Sequence, residues 1–252
     1  QKTAYEIPKR DWSSDVCSSD LMGLNVVVMG PPGAGKGTQC DRFARERGLP
    51  KISTGDILRD AIKQETELGI RAKTMMDQGK LVDDATMIGI VRERLARPDA
   101  QRGFLLDGYP RTVAQAEALD GIVRSCCQGP LIVVDVNVPR EELLRRLSTR
   151  RICGTCGANA DPSDASDRCR NCGGAMIQRT DDNVGVVAKR IEVYEHDTLP
   201  LVEYYRAQPT FRIVNGAQAP DRVAAELAAA IDGAAGLTAV AAGGRSGVGP
   251  QL

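Results

Sequence analysis

The valine-rich run Leu24 to Met29 leads into Gly30-Pro31-Pro32-Gly33-Ala34-Gly35-Lys36-Gly37-Thr38, and a stretch of helical character follows from Gln39 to Arg47. A continuous β-branched run suits a strand buried on both faces. Glycines leave no Cβ between backbone and ligand, so such a turn can aim its N–H groups inward around an anion. The helix after it adds roughly half a positive charge at its N-terminus. Strand, glycine turn and helix in that order read as a phosphate-binding loop. Lys36 would reach the β- and γ-phosphates of a nucleotide and Thr38 would hold Mg²⁺. The common form of the loop puts Ser or Thr directly after Lys, whereas Gly37 intervenes here. A glycine-rich turn with no ligand is the plainer reading of the same residues.

The alternation of strand and helix continues. Short apolar strands are expected at Phe104 to Leu106, Leu131 to Val136 and Arg212 to Val214, with a further one at Lys51–Ile52. Helical stretches between them imply right-handed crossovers, hence an α/β fold on a parallel sheet. A last amphipathic helix is expected over 219–232 and a low-complexity Ala/Gly-rich tail over 233–252. Residues 1–21 are polar and repeat Ser-Ser-Asp at Ser13 to Asp15 and Ser18 to Asp20. They read as an extraneous or disordered segment, Trp12 and Cys17 included.

Charge and composition narrow the function. Lys+Arg and Asp+Glu number 33 each, and this balance argues against a broad surface for nucleic acid or anionic membrane. No apolar run approaches the roughly 18 residues that cross a bilayer, and residues 1–21 hold no apolar signal core. A cytoplasmic protein is therefore expected, its eight cysteines serving as thiols or metal ligands rather than disulfides.

Two Cys-x2-Cys pairs, Cys153/Cys156 and Cys169/Cys172, are each followed by Gly and are separated by residues 157–168. Four thiolates at this spacing suit tetrahedral Zn²⁺. The segment between them is rich in Asp, Ser and Ala and cannot build its own core, so a metal would take the core's place. Four protein ligands leave no open position, which makes such a zinc structural. A disulfide or redox pair is the competing reading. A nucleic-acid-binding ribbon fits less well, because the segment has few basic residues and no aromatics.

The loop in the form GPPGAGKGTQ resembles that of the adenylate kinases, and further segments agree in order. Ile52-Ser-Thr54-Gly-Asp56-Ile-Leu-Arg59 resembles the family's AMP-binding segment, and Gly79-Lys80-Leu81-Val82 the end of its AMP-clamping helices. Phe104-Leu-Leu-Asp107-Gly108-Tyr109-Pro110-Arg111, then Gln115, resembles the signature at the heart of the site. Arg146, Arg150 and Arg151 fall where the family enters its lid; Arg179-Thr-Asp181-Asp182-Asn183, then Arg190, match where it leaves. The resemblance covers about residues 22–231. It implies a P-loop NTPase-type five-stranded parallel sheet. An AMP-binding helical insertion would span about 53–82, and a zinc-binding lid about 149–186, within one domain over 22–232.

The resemblance also implies roles. Lys36, Asp107, Arg111, Arg146, Arg150, Arg179 and Arg190 would carry the transfer of the terminal phosphoryl group from Mg·ATP to AMP. ATP would lie on Gly33, Ala34, Gly35, Lys36, Gly37, Thr38, Arg150, Asn159, Ala160 and Gln218. AMP would be held by Thr54, Arg59, Lys80, Leu81, Val82, Gly108, Tyr109, Pro110, Arg111, Gln115, Arg179 and Arg190. Asp107 would orient Mg²⁺ through water, and a monomer is expected. The chemistry agrees independently: phosphoryl transfer asks a protein mainly to position and neutralise, and planar guanidinium forks match phosphate oxygens. His196, the only histidine, falls on a helix expected over Val184 to Tyr204 and reads as a surface or packing residue. Asn159–Ala160 depart from the hydroxyl and aromatic residues the family often places there. A kinase for another nucleoside monophosphate, UMP or CMP, is the nearest alternative, and a non-catalytic nucleotide-responsive zinc protein is another.

Overall fold

The structure is a computed structural model that describes residues 23–160 and 166–243. Residues 1–21 lie outside this range. Five strands form one all-parallel sheet: β1 (Leu24–Met29), β2 (Lys51–Ser53), β3 (Gly103–Asp107), β4 (Leu131–Asn137) and β7 (Phe211–Asn215), in the order β2-β3-β1-β4-β7. β1 is central and buried at every position, as its unbroken apolar character requires. Its register pairs Val28 with Asp107 of β3 and Met29 with Asp135 of β4, so both acids sit at the sheet's carboxyl edge beside the glycine loop. In open α/β sheets that edge is where ligands bind.

Helices α1 (Lys36–Arg47), α2 (Thr54–Lys63), α3 (Glu67–Asp77), α4 (Asp84–Leu95), α5 (Val113–Cys126) and α6 (Arg140–Thr149) supply the crossovers. Their starts follow from short polar residues. Ser53, Thr66, Asp83 and Thr112 cap α2 to α5, each accepting a hydrogen bond from a backbone N–H three residues on. α1 differs: its cap is Gly35 in the left-handed region, with no side chain over the first amides. Those amides remain the kind of donor set an anion can use.

The two sheet faces bury separate cores. On one face Val27, Leu106, Val133 and Tyr205 pack with α4, α5 and the later helix α8 (Pro200–Arg206). On the other, Val26, Val28, Leu105 and Val134 pack with α1 and the last helix α9 (Pro220–Gly243). Gly30 marks the crowding where β1 meets β4. Its φ is 138°, and a Cβ there would stand 2.5 Å from the Val136 carbonyl oxygen.

Two elements differ from expectation. The helix after the lid is not continuous from Val184 to Tyr204. α7 (Val184–Val193) passes into a π turn at Tyr194–Thr198, closed by Leu199 N–H to Tyr194 O at 2.8 Å, before α8 begins at Pro200. Proline has no N–H to give and crowds the turn before it, so the ladder widens there. α9 runs past the expected end at 232 to Gly243. Alanine is the best helix former, and Ala234 is fully buried against the second core, which extends the helix into what composition alone reads as a tail.

Between α6 and α7 the chain projects a small unit. It contains β5 (Ile152–Cys153) and β6 (Met176–Ile177), paired antiparallel, and a 3-10 turn at Thr180–Asp182.

Candidate active site

The glycine loop folds around its own lysine. Gly33 and Gly35 take φ of 85° and 87°, and the Lys36 ammonium donates to the carbonyls of Gly30 (2.7 Å) and Pro31 (2.8 Å). Burial lowers its pKa to about 8; Asp107 offsets part of that, while Arg111 and Arg190 add to it. A Cβ built on Gly37 would lie 3.6 Å from Asp107 Oδ2 and 3.7 Å from Asn159 Nδ2. The first turn of α1, the end of β3 and the cysteine-bearing unit therefore meet at one point. Thr38 is exposed beside it, and Ala34 is buried under the loop.

Next to this point the signature after β3 forms a second cradle. Thr54 Oγ1 and Arg111 Nε both donate to the Gly108 carbonyl, at 3.0 and 2.8 Å. Gln115 is almost wholly buried: it accepts from the Arg111 N–H and donates to Asp84, both at 2.8 Å. Tyr109 is buried, its hydroxyl donating to the Gln115 carbonyl, and the Tyr109–Pro110 peptide is cis. Thr198 pins the Arg111 carbonyl from the π turn at 2.9 Å. Arg59 crosses the start of its own helix to Asp56.

The remaining cations converge from the end of α6, the segment after β6, and α7. Arg150 forks onto Asp182 at 2.7 and 2.5 Å, and Arg190 reaches Asp181 at 2.9 Å and Asp182 at 3.1 Å. Arg179 lies 3.2 Å from Asp181, its Nε buried without a hydrogen bond. Burial, then Arg190, brings Arg111 down to about 10; burial, then Arg59, does the same to Arg179. Burial raises Asp181, yet Arg190, Arg179, Arg150 and Arg59 together hold it below the usual carboxylate range. Lys36, Arg59, Arg111, Arg150, Arg179 and Arg190 thus share one electrostatic neighbourhood. Guanidiniums gathered this closely, their charge disfavoured by burial first and by one another second, suit a ligand that brings several negative charges at once.

Other residues expected in the site stand apart from this cluster. Arg146 is tied to Glu142 at 2.7 Å, with its guanidinium 4.0 Å from where a Gly35 Cβ would be, so it borders the loop. Gln218 lies in the turn from β7 to α9, its amide donating to Asn215 O and Glu226. Lys80 is exposed, Leu81 half-buried and Val82 in the first core. Ala160 donates its N–H to Arg151 O. His196 is exposed, its side chain 88 % accessible.

Sequence reasoning gave no role to Asp181, Asp182, Asp84 or Glu142. Asp182 is fully buried and orients two arginines, Asp84 fixes Gln115, and Glu142 holds Arg146. The signal was present for the first two: paired acids inside an arginine motif are the partners those arginines need when no ligand is bound. Asp135 was also missed. It is 6 % exposed, its Oδ1 has no hydrogen-bond partner, and burial raises its pKa to about 6 against a downward pull from Lys36. Because the folded pKa exceeds the unfolded one, the native state gains protons first. Stability then falls as pH rises from about 4 to above 6. Asp135→Asn is expected to be more stable than the parent at pH 7.5 by about 3 kcal/mol, and the gap should close near pH 4. Thermal melts of both proteins across that range check this.

The four cysteines of the small unit form a closed cluster. Their Sγ atoms all lie within 4.8 Å of one another, with Cys153 to Cys172 at 3.4 Å and Cys156 to Cys169 at 3.6 Å. None is disulfide-bonded. Four sulfurs about 2.3 Å from one ion would stand about 3.8 Å apart, so the set fits tetrahedral zinc. The knuckles repeat each other: Gly157 N–H donates to Cys153 O and Gly173 N–H to Cys169 O, with φ of 74° and 73°. A backbone N–H of Cys156 points at Cys153 Sγ and holds that thiol down to about 6, which favours the thiolate a metal needs.

A parallel sheet, a glycine loop at its carboxyl edge and a convergent set of cations define a P-loop phosphotransferase that acts on nucleotides. Comparison with known proteins narrows the class. The family model for adenylate kinase matches residues 28–210. The chain is 46 % identical over 210 residues to the adenylate kinase of Syntrophobacter fumaroxidans, covering 82 % of this chain and 99 % of that one. It is 48 % identical to that of Lysinibacillus sphaericus (81 % and 96 % covered) and 45 % identical to that of Archaeoglobus fulgidus (83 % and 98 %). The chain belongs to the adenylate kinase family, the nucleoside monophosphate kinases that transfer a phosphoryl group between nucleotides.

Proposed function

We propose that this chain moves the terminal phosphoryl group of Mg·ATP to AMP, reversibly, and that the cation cluster is what does it. The observation that carries this reading is the gathering of Lys36, Arg111, Arg179 and Arg190 in one neighbourhood, where burial first and neighbouring guanidiniums second lower the pKa of Lys36, Arg111 and Arg179. Residues Gly33 to Thr38 cradle the ATP phosphates, with Lys36 leaving its loop carbonyls to follow the β- and γ-oxygens. Thr38 and Asp107 face the Mg²⁺ that arrives with ATP. Arg59, Arg111 and Arg190 grip the AMP phosphate and the group in transfer; Arg146, Arg150 and Arg179 close over the ATP side. Thr54, the Gly108 backbone and Gln115 address the AMP base, since an amide both donates and accepts. No general base is needed, because the attacking phosphate oxygen is already an anion. Residues 53–82 and 149–186 act as the two flaps that exclude water from the transfer.

Zinc, bound by Cys153, Cys156, Cys169 and Cys172, supplies structural free energy to the lid. Stripping it with a chelator is expected to lower Tm by roughly 2–4 °C for each kcal/mol lost. The phosphate-binding core site should change less than the melting temperature does. Calorimetry and turnover with and without restored zinc check both. Coupled ADP production with ATP plus AMP, then with each omitted and with UMP or CMP in place of AMP, tests the reaction. Strong UMP and negligible AMP turnover would overturn the choice of acceptor.

A further inference from the structure

The described thiols outside the zinc cluster are Cys40, Cys126 and Cys127. Cys40 is buried behind the phosphate loop. The other two are adjacent, and their Sγ atoms lie 3.5 Å apart. Neighbouring side chains on a strand point to opposite faces. Here the backbone changes at the junction: Cys126 is the last residue of α5, and Cys127 is extended with φ −115° and ψ 150°. That break brings both sulfurs to one side.

The pair is accessible and held in place. Cys126 is exposed, its S–H donating to the Ile122 carbonyl at 3.0 Å, while Cys127 is half-buried and packs on the first core. The turn after it is pinned from beneath by buried Asn25, whose amide donates to Gln128 O at 2.7 Å and Gly129 O at 3.2 Å. A ligand that bridges the two sulfurs therefore meets a pre-formed chelate and has little chain to order. Two sulfurs at this separation can both bond one centre at about 2.3 Å with an angle near 100°. That is a little tighter than tetrahedral and suits a pyramidal soft centre. Thiolate ligands select soft elements.

We infer that Cys126 and Cys127 form a second sulfur site, one that takes a trivalent arsenical as a two-sulfur chelate. The reaction is a condensation: R–As(OH)₂ and two thiols give R–As(S)₂ and two waters. Two As–O and two S–H bonds break, two As–S and two O–H bonds form, and arsenic stays trivalent. It needs no free thiolate, which matters because burial and the neighbouring Cys126 raise Cys127 to about 12. Disulfide exchange, which proceeds through the thiolate, is disfavoured at such a thiol. The pair precedes β4, at the opposite end of the strand from the phosphate loop.

The test uses the zinc-loaded full chain and phenylarsonous acid, read by intact mass and by zinc content. One equivalent is expected to bind, to survive excess monothiol and to leave with a small dithiol, with zinc retained. Cys126→Ser and Cys127→Ala should each abolish it, and Cys17→Ser should not. Retention of the tight equivalent in Cys126→Ser, or release of zinc on uptake, would overturn the assignment. So would no uptake by the parent chain.

Discussion

Lys36→Met is expected to lower the forward rate by about 10²- to 10³-fold, the size of effect seen when one preorganised charge-stabilising donor is removed. The fold should not suffer. The ammonium's hydrogen-bond partners are two carbonyls of its own loop, and its burial already works against its charge. The methionine keeps the stem and loses the charge. Steady-state turnover and a thermal melt, measured together, check the prediction. Loss of less than about tenfold would mean that the glycine loop and arginines neutralise the transferred group without it.

Asp182→Ala carries the second large effect, and it combines stability with activity. The carboxylate is fully buried and receives Arg150 on both oxygens and Arg190 on one. Removing it leaves two guanidiniums, each with about 20 % of its side chain exposed, short of a counter-charge. Breaking a buried pair in this way costs about 3–5 kcal/mol, so Tm should fall by roughly 10 °C. Both arginines also lose their orientation, and a misplacement of about 1 Å can cost about 10²-fold in rate. Asp182→Asn keeps the shape and should recover more stability than activity. A melt combined with saturation kinetics separates the two. An alanine variant with native Tm would show that the arginines are held by something else.

Much of this arrangement was legible in the residues, and the boundary has a physical cause. β1, the glycine loop and α1 are local: apolar character, absence of Cβ and a following helix are readable within fifteen or so positions. The cysteine knuckles are equally local, and the four sulfurs do come together. The arginines were found through their motifs. Their anchors were not, because which acid meets which guanidinium depends on how α7 returns over the sheet. Asp135 was invisible for the same reason: in sequence it is one polar residue in a valine run, and only burial shows its carboxylate lacking a partner. The extent of α9 and the π turn before Pro200 turned on packing and on one missing N–H. Composition does not register either.

Phosphoryl transfer at this site depends on six cations turning toward phosphates that bridge two nucleosides. A co-crystal with a dinucleoside pentaphosphate, two adenosines joined tail to tail, examines this directly. Lys36, Arg59, Arg111, Arg150, Arg179 and Arg190 should lie within hydrogen-bond reach of phosphate oxygens, with Lys36 released from Gly30 and Pro31. Guanidiniums still closed on Asp181 and Asp182, with the inhibitor's phosphates in solvent, would contradict it.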